Sequence, residues 1–146
     1  MNYTTLGRSG IRASVLGIGA GGPSRIGKSL GIDEKDSADL VRKAYDMGIN
    51  CFDTAESYGT EEIIGNALAG VPSDQLCLAT KCSTTIDGRL KDPKEIERSL
   101  DASLLKLKRD YVDVYFLHAV MADRYEEIRE NAFPILERLK QKGKLR

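Results

Sequence analysis

Strand-type and helix-type segments alternate four times along this chain, with short connections between them. Apolar runs typical of buried strands lie at 14–19, 49–53, 76–80 and 112–117, and helical spacing of apolar residues follows at 36–47, 61–69, 92–107 and 125–142. Parallel strands need crossover helices of this kind, so the pattern predicts a parallel sheet covered by helices. Ahead of it, a strand from Tyr3 to Leu6, a turn over 7–10 and a second strand from Ile11 predict a short hairpin.

Two architectures fit this alternation, an open doubly wound sheet and a barrel. A dinucleotide-binding open sheet needs Gly-x-Gly-x-x-Gly opening a helix directly after its first strand. Here the glycine-rich stretch 17–22 leads into a polar loop over 24–33 and not directly into a helix, so the dinucleotide-binding fingerprint is weak. A complete (β/α)8 barrel takes about 250 residues, and this chain has 146. We therefore predict an α/β fold in which residues 1–146 form an N-terminal hairpin plus four βα units of a TIM barrel, that is, a half or truncated barrel.

Four titratable side chains are predicted to lie at strand ends of this barrel. Asp53 ends the second apolar run and Tyr58 follows it by five residues, while Lys81 and His118 come directly after the third and fourth runs. The C-terminal ends of barrel strands open on one face, and catalysis in this fold takes place on that face. Asp53, Tyr58, Lys81 and His118 are therefore our candidate catalytic residues.

The chemistry of these four groups is that of carbonyl polarisation. A phenol is a poor acid at neutral pH, but a nearby ammonium such as Lys81 stabilises the phenolate and makes Tyr58 a better proton donor. Asp53 is the expected counter-ion that keeps Lys81 charged, and a neutral His118 can donate a hydrogen bond to a substrate oxygen. The set lacks a reductant, and a nicotinamide cofactor is the natural source of one.

Three stretches of the sequence resemble motifs of the aldo-keto reductase family, in particular its bacterial and plant-like members. They are Gly48 to Leu68 with its Asp-Thr-Ala-Glu-Ser-Tyr-Gly core, Thr80-Lys81, and Tyr111 to His118. The opening Leu6-Gly7-Arg8-Ser9-Gly10 and Leu16-Gly17-Ile18-Gly19 are similar to the family's N-terminal hairpin and first strand. The resemblance covers essentially all 146 residues.

This resemblance implies an NADPH-dependent enzyme, with NADH as the alternative cofactor, that reduces an aldehyde or ketone to an alcohol. It implies that Tyr58 is the general acid, that Lys81 and Asp53 tune it, and that His118 orients the carbonyl. Histidine at 118 fits carbonyl chemistry, because family members that reduce carbon–carbon double bonds carry Glu there. Gly19, Ala20, Gly21 and Asp53 are implied to line the cofactor, whose phosphate and adenosine contacts in the family lie mainly in the second half of the barrel.

The amino-acid composition limits the kinds of partner that the chain is expected to bind. With 22 basic and 22 acidic residues the chain has no net charge to attract nucleic acid or an anionic membrane. No apolar stretch approaches the roughly 20 residues of a membrane span, and the N-terminal residues do not resemble a signal peptide. The three cysteines, at 51, 77 and 82, have no metal-ligand spacing and suit a reducing compartment, so we expect a cytoplasmic protein.

Two other functions stay open on the sequence. The chain could be a non-catalytic half-barrel that associates with another half or with itself, because an open half-barrel leaves two unpaired sheet edges. It could also be an NADPH-sensing subunit of low turnover. The substrate itself is not specified by the sequence.

Overall fold

Four parallel strands form the central sheet of the computed structural model, which describes residues 1–146. They are β3 (Gly17–Gly19), β4 (Cys51–Asp53), β5 (Cys77–Ser83) and β8 (Val114–His118), and they are neighbours in that order. The helices that connect or follow them are α1 (Glu34–Asp46), α2 (Glu61–Ala67), α3 (Pro93–Leu107) and α4 (Tyr125–Gln141). The predicted half-barrel of four βα units is confirmed.

The N-terminal hairpin is also present, with β1 (Tyr3–Thr5) antiparallel to β2 (Arg12–Ser14). Ile11 and Ala13 pack against Cys77 and Cys51, so the hairpin covers the N-terminal ends of β4 and β5. The buried amide of Asn50 holds the hairpin in place, because it accepts from the Ser14 N–H and donates to the Arg12 carbonyl. The predicted strand 14–19 is divided: its first residue ends β2 and its last three form β3.

The face of the sheet turned toward the helices carries the main core. Phe52, Leu78 and Cys82 are buried there among apolar side chains of the helices, including Val41, Ile64 and Leu100. Burial raises the pKa of the Cys82 thiol, which packs in this core beside Tyr115. The opposite face, which is the inner face of a barrel, is open: Phe116 is 47% exposed.

Local sequence signals begin α3 where it was expected, whereas α1 begins at Glu34, two residues before the predicted start. Asp92 accepts from the Glu95 N–H, the Glu95 carboxylate accepts from the Asp92 N–H, and Pro93 takes the first helical position of α3. At the start of α1 the Asp33 side chain accepts from the Asp36 N–H. None of the four helices is long and apolar enough to cross a lipid bilayer.

Two features of the third unit depart from the sequence prediction. The strand predicted at 76–80 extends to Ser83, because Lys81, Cys82 and Ser83 pair in register with residues 116–118 of β8. A second small hairpin of β6 (Thr85–Ile86) and β7 (Arg89–Leu90) then leads to α3. Beyond α4, Leu145 pairs in parallel with Val112, so a further strand position begins at the edge of β8.

We predict that Gly65→Ala destabilises the fold more than any other exchange of glycine for alanine outside the turns. A Cβ at Gly65 would lie 2.2 Å from the Lys106 carbonyl oxygen, and backbone cannot move away as a side chain can. The expected loss is about 1–3 kcal/mol of unfolding free energy, as for overpacked cores. Gly19→Ala is the matched control, because no atom lies within 4 Å of its added Cβ. Urea unfolding of both variants measures the difference, and equal midpoints would contradict the prediction.

Candidate active site

The parallel register brings the C-terminal ends of the four strands to one edge of the sheet. Gly19 on β3 lies opposite Asp53 on β4, and Asp53 lies opposite Ala79 on β5. Lys81 and Ser83, further along β5, lie opposite Phe116 and His118 on β8. Side chains alternate along a strand, so Asp53, Lys81 and His118 project from the inner face of the half-barrel.

Lys81 and Asp53 form an ion pair at this edge. The Lys81 Nζ donates to Asp53 Oδ2 at 2.5 Å and to the Thr54 carbonyl oxygen at 2.8 Å. The Lys81 side chain is 16% exposed and that of Asp53 is 41% exposed, so the ammonium is the more deeply buried partner. A largely buried cation needs such a partner to remain charged. Because β5 continues to Ser83, Lys81 lies two residues before the end of the strand. The sequence predicts it directly after the strand.

Tyr58 lies between this ion pair and His118. It ends a short 3-10 helix, Glu56–Tyr58, directly after β4. The Lys81 Nζ is 5.1 Å from the centre of the Tyr58 ring, and the Tyr58 hydroxyl is 3.4 Å from His118 Nε2. The Tyr58 and His118 rings meet edge to face, with centroids 5.4 Å apart. All four candidate catalytic residues are therefore gathered in one cluster.

The loop after β3 forms one side of the cluster. The Ala20 N–H donates to the Asp53 carbonyl oxygen at 2.8 Å, and the Thr60 hydroxyl donates to the Ala20 carbonyl oxygen at 3.2 Å, so the buried Ala20 fixes this loop to β4. Gly21 packs directly against the Tyr58 ring, because an added Cβ there would lie 2.5 Å from Tyr58 Cε2. Gly19 is exposed and a Cβ there would meet no atom within 4 Å. The exposed Gly19 thus leaves open space beside its register partner Asp53, whereas the Tyr58 ring fills the space beside the half-buried Gly21.

The arrangement can do proton chemistry at an oxygen atom placed between Tyr58 and His118. The Tyr58 hydroxyl supplies a proton, the Lys81 ammonium stabilises negative charge on the phenol oxygen, and a His118 ring nitrogen directs a hydrogen bond to the same substrate oxygen. No group of three or more histidine, cysteine, aspartate or glutamate side chains is arranged to hold a metal ion. These side chains can polarise and protonate an oxygen atom, and none of the four can supply a hydride.

Three neighbours of the cluster were missed by the sequence analysis. The Ser57 hydroxyl is 3.5 Å from His118 Nδ1, and Glu56 at the start of the same 3-10 helix forms an ion pair with Lys91. Glu56 and Ser57 could have been found from their position beside Tyr58 in the motif. Lys91 could not, because it reaches the site only through the β6–β7 hairpin.

Known proteins resemble this chain in sequence and in fold. The sequence profile of the Aldo/keto reductase family matches residues 16–146. L-galactose dehydrogenase of Arabidopsis thaliana is 35% identical over 97% of this chain and 45% of its own length. Aldo-keto reductase YhdN of Bacillus subtilis is 36% identical over 100% of this chain and 45% of its own length.

Among solved structures, the aldo-keto reductase AKR11C1 from Bacillus halodurans in its holo form matches with a TM-score of 0.77. It is 32% identical, and the match covers 99% of this chain and 48% of that one. The chain thus spans about half the length of the curated relatives that it matches.

We predict that Asp53 and Lys81 are energetically coupled. A double-mutant cycle of Asp53→Asn and Lys81→Met should give a coupling of about 1 kcal/mol in unfolding free energy, because the ammonium is mostly buried. The surface pair Lys35–Asp39, whose side chains are 81% and 56% exposed, is the matched control and should give a smaller coupling. Urea unfolding of the two sets measures both values, and a coupling at Asp53–Lys81 no larger than the control would show that burial adds nothing to this pair.

Proposed function

Because the chain belongs to the aldo/keto reductase family, we propose that it carries the catalytic half of a nicotinamide-dependent reductase that converts an aldehyde or ketone to an alcohol and back. Members of this family are oxidoreductases that act on carbonyl compounds with nicotinamide cofactors. The observation that supports the proposal best is the unbroken line of contacts from Asp53 through Lys81 and Tyr58 to His118. For the cofactor we propose NADPH, with NADH as the alternative.

The residues around the cluster fit a flat nicotinamide ring. Gly19 is exposed opposite Asp53 and leaves open space there, and Gly21, which has no side chain, lets the loop pack against the Tyr58 ring. When bound there, a reduced nicotinamide supplies the hydride that the side chains lack. We propose that the nicotinamide is held by Gly19, Ala20, Gly21 and Asp53. The buried Ala20 contributes by fixing the loop to β4 through its backbone hydrogen bonds.

In the proposed reaction the side chains act on the carbonyl oxygen. His118 donates a hydrogen bond that orients the oxygen toward Tyr58. As negative charge develops on that oxygen, the Tyr58 hydroxyl transfers its proton to it, and the Lys81 ammonium stabilises the phenolate that remains. Asp53 keeps Lys81 charged and fixed in place through both directions of the reaction.

A second candidate function follows from the faces that the half-barrel leaves open. The apolar side chain of Phe116 is exposed on the inner face, and a groove of about 380 Å³ at the β3 edge is lined by apolar residues that include Ile18 and Leu40. Exposed apolar surface of this kind is typical of an interaction site. This favours a half-barrel that pairs with another half or with a second copy, and whose own role is assembly or cofactor sensing.

Cofactor binding and assembly distinguish the two candidates. The purified chain is titrated with NADPH and with NADH while nicotinamide fluorescence is followed, and its mass is measured by light scattering after gel filtration at several concentrations. Saturable binding together with oxidation of the cofactor by short aldehydes supports the reductase. Binding without turnover supports the sensing subunit. A folded dimer that binds neither cofactor supports the assembly role and contradicts the reductase.

We predict that Tyr58→Phe lowers kcat/KM for carbonyl reduction by about 10²–10⁴-fold, the usual contribution of a positioned general acid. The cofactor dissociation constant should stay unchanged, because the ring remains and only the hydroxyl is lost. Tyr125→Phe is the control, since Tyr125 is 52% exposed at the start of α4. Initial rates and fluorescence titrations test both variants, and full activity in Tyr58→Phe would remove Tyr58 from the role of acid.

A further inference from the structure

Glu56 connects the 3-10 helix of Tyr58 to the end of β5. Its Oε1 accepts the Ser83 N–H at 2.7 Å and the Lys91 Nζ at 2.7 Å. The Glu56 side chain is 21% exposed and that of Lys91 only 8%. A carboxylate and an ammonium that are withdrawn from water in this way are held in one geometry much more tightly than a surface pair.

Lys91 is itself anchored on two sides. Its Nζ also donates to the Ser99 hydroxyl in α3 at 2.7 Å, and its backbone N–H donates to the Thr84 carbonyl oxygen at 2.9 Å. Burial alone would raise the pKa of Glu56, but the hydrogen bonds from Lys91 and the Ser83 N–H outweigh it and lower the pKa. Glu56 is therefore a fixed negative charge that joins the 3-10 helix, the end of β5 and α3.

This tether lies beside the contact between Tyr58 and His118. Ser83, which donates to Glu56, is the register partner of His118 on the neighbouring strand. Ser57 and Tyr58, the two residues after Glu56, approach the two ring nitrogens of His118 at 3.5 Å and 3.4 Å. These distances are at the long end of the hydrogen-bond range, so a small displacement of the 3-10 helix breaks them.

Other contacts support the chain on either side of this helix, among them the hydrogen bond between the buried Thr54 and Thr60 hydroxyls at 2.9 Å. Its N-cap residue, Ala55, has no side chain that could cap it. At its far end the Gly59 carbonyl oxygen accepts from the Lys28 Nζ at 3.1 Å, and the Lys28 side chain is 41% exposed. Within the 3-10 helix itself, Glu56 is thus the residue whose side chain is tied to a buried ion-pair partner.

We propose that Glu56, held by Lys91, is a positioning residue that sets the distance between the Tyr58 hydroxyl and the His118 ring. The inference rests on the proposed function, in which these two groups act on one carbonyl oxygen. Glu56 does not contact that oxygen and acts only through the 3-10 helix.

His118 reports directly on this geometry, because it is the one histidine of the chain. Its imidazole proton resonances are recorded by NMR against pH in the 146-residue chain and in Glu56→Gln, Glu56→Asp and Lys91→Met. Asp113→Asn is the matched control: Asp113 is also buried, and it accepts one backbone N–H, from Leu78, and one cationic side chain, from Arg146, at the opposite end of the sheet. A general loss of stability should affect Asp113→Asn as much as the Glu56 variants.

We expect both Glu56 variants to shift the His118 resonances beyond the change seen in Asp113→Asn. In Lys91→Met we expect a second inflection in the His118 titration, because the buried Glu56 loses its cation and protonates at a higher pH. The other titratable groups that face Glu56 are Cys82 and Tyr115, whose pKa values burial raises. The second inflection expected in Lys91→Met should vanish in the double variant Glu56→Gln with Lys91→Met, because the carboxylate that causes it is gone.

Turnover provides the second readout. Misplacement of a catalytic group by about 1 Å can lower a rate by about 100-fold. We therefore expect kcat to fall by up to that factor in Glu56→Gln. KM and the cofactor dissociation constant should stay unchanged. The proposal is overturned if a folded Glu56→Gln or Glu56→Asp gives the His118 spectrum of the control. Absence of turnover in the unaltered chain instead contradicts the proposed function, and the NMR result then decides the positioning role by itself.

Discussion

The register of the four parallel strands is the constraint on which the rest of the structure depends. Because all four run in one direction, the residues that end them arrive at one edge, with Gly19 opposite Asp53 and Ser83 opposite His118. A shift of any strand by one residue would turn its inward side chains toward the helices. Burial on the helix side opposes such a shift, since Phe52 and Cys82 are fully buried there.

The two faces of this sheet are unequal. The helix-facing side has a complete apolar core, whereas the inner side, with Phe116 nearly half exposed, has no covering layer above the N-terminal hairpin. The chain spans about half the length of its curated relatives, and all four groups of the candidate active site lie within that half.

Two ion pairs with largely buried ammonium groups lie near the C-terminal ends of the strands. Lys81 with Asp53 and Lys91 with Glu56 each remove an ammonium almost completely from water, which is tolerated only because each also donates a second hydrogen bond, to the Thr54 carbonyl and the Ser99 hydroxyl. The Lys81 ammonium lies 5.1 Å from the centre of the Tyr58 ring, and Glu56 begins the short 3-10 helix that Tyr58 ends.

The sequence by itself determined the order of elements, the N-terminal hairpin, the start of α3 at Asp92–Pro93 and the four residues of the site, because each is signalled by neighbours within a few positions or by a motif. The tertiary structure alone decided that β5 runs on past Lys81 to Ser83, that Gly65 must be a glycine against the Lys106 carbonyl, and that Lys91 pairs with Glu56 across 35 positions. These features depend on partners distant in the chain, and the period of apolar residues carries no information about which distant groups will meet. Local chemistry therefore specified which residues could react, and long-range packing determined how they are held.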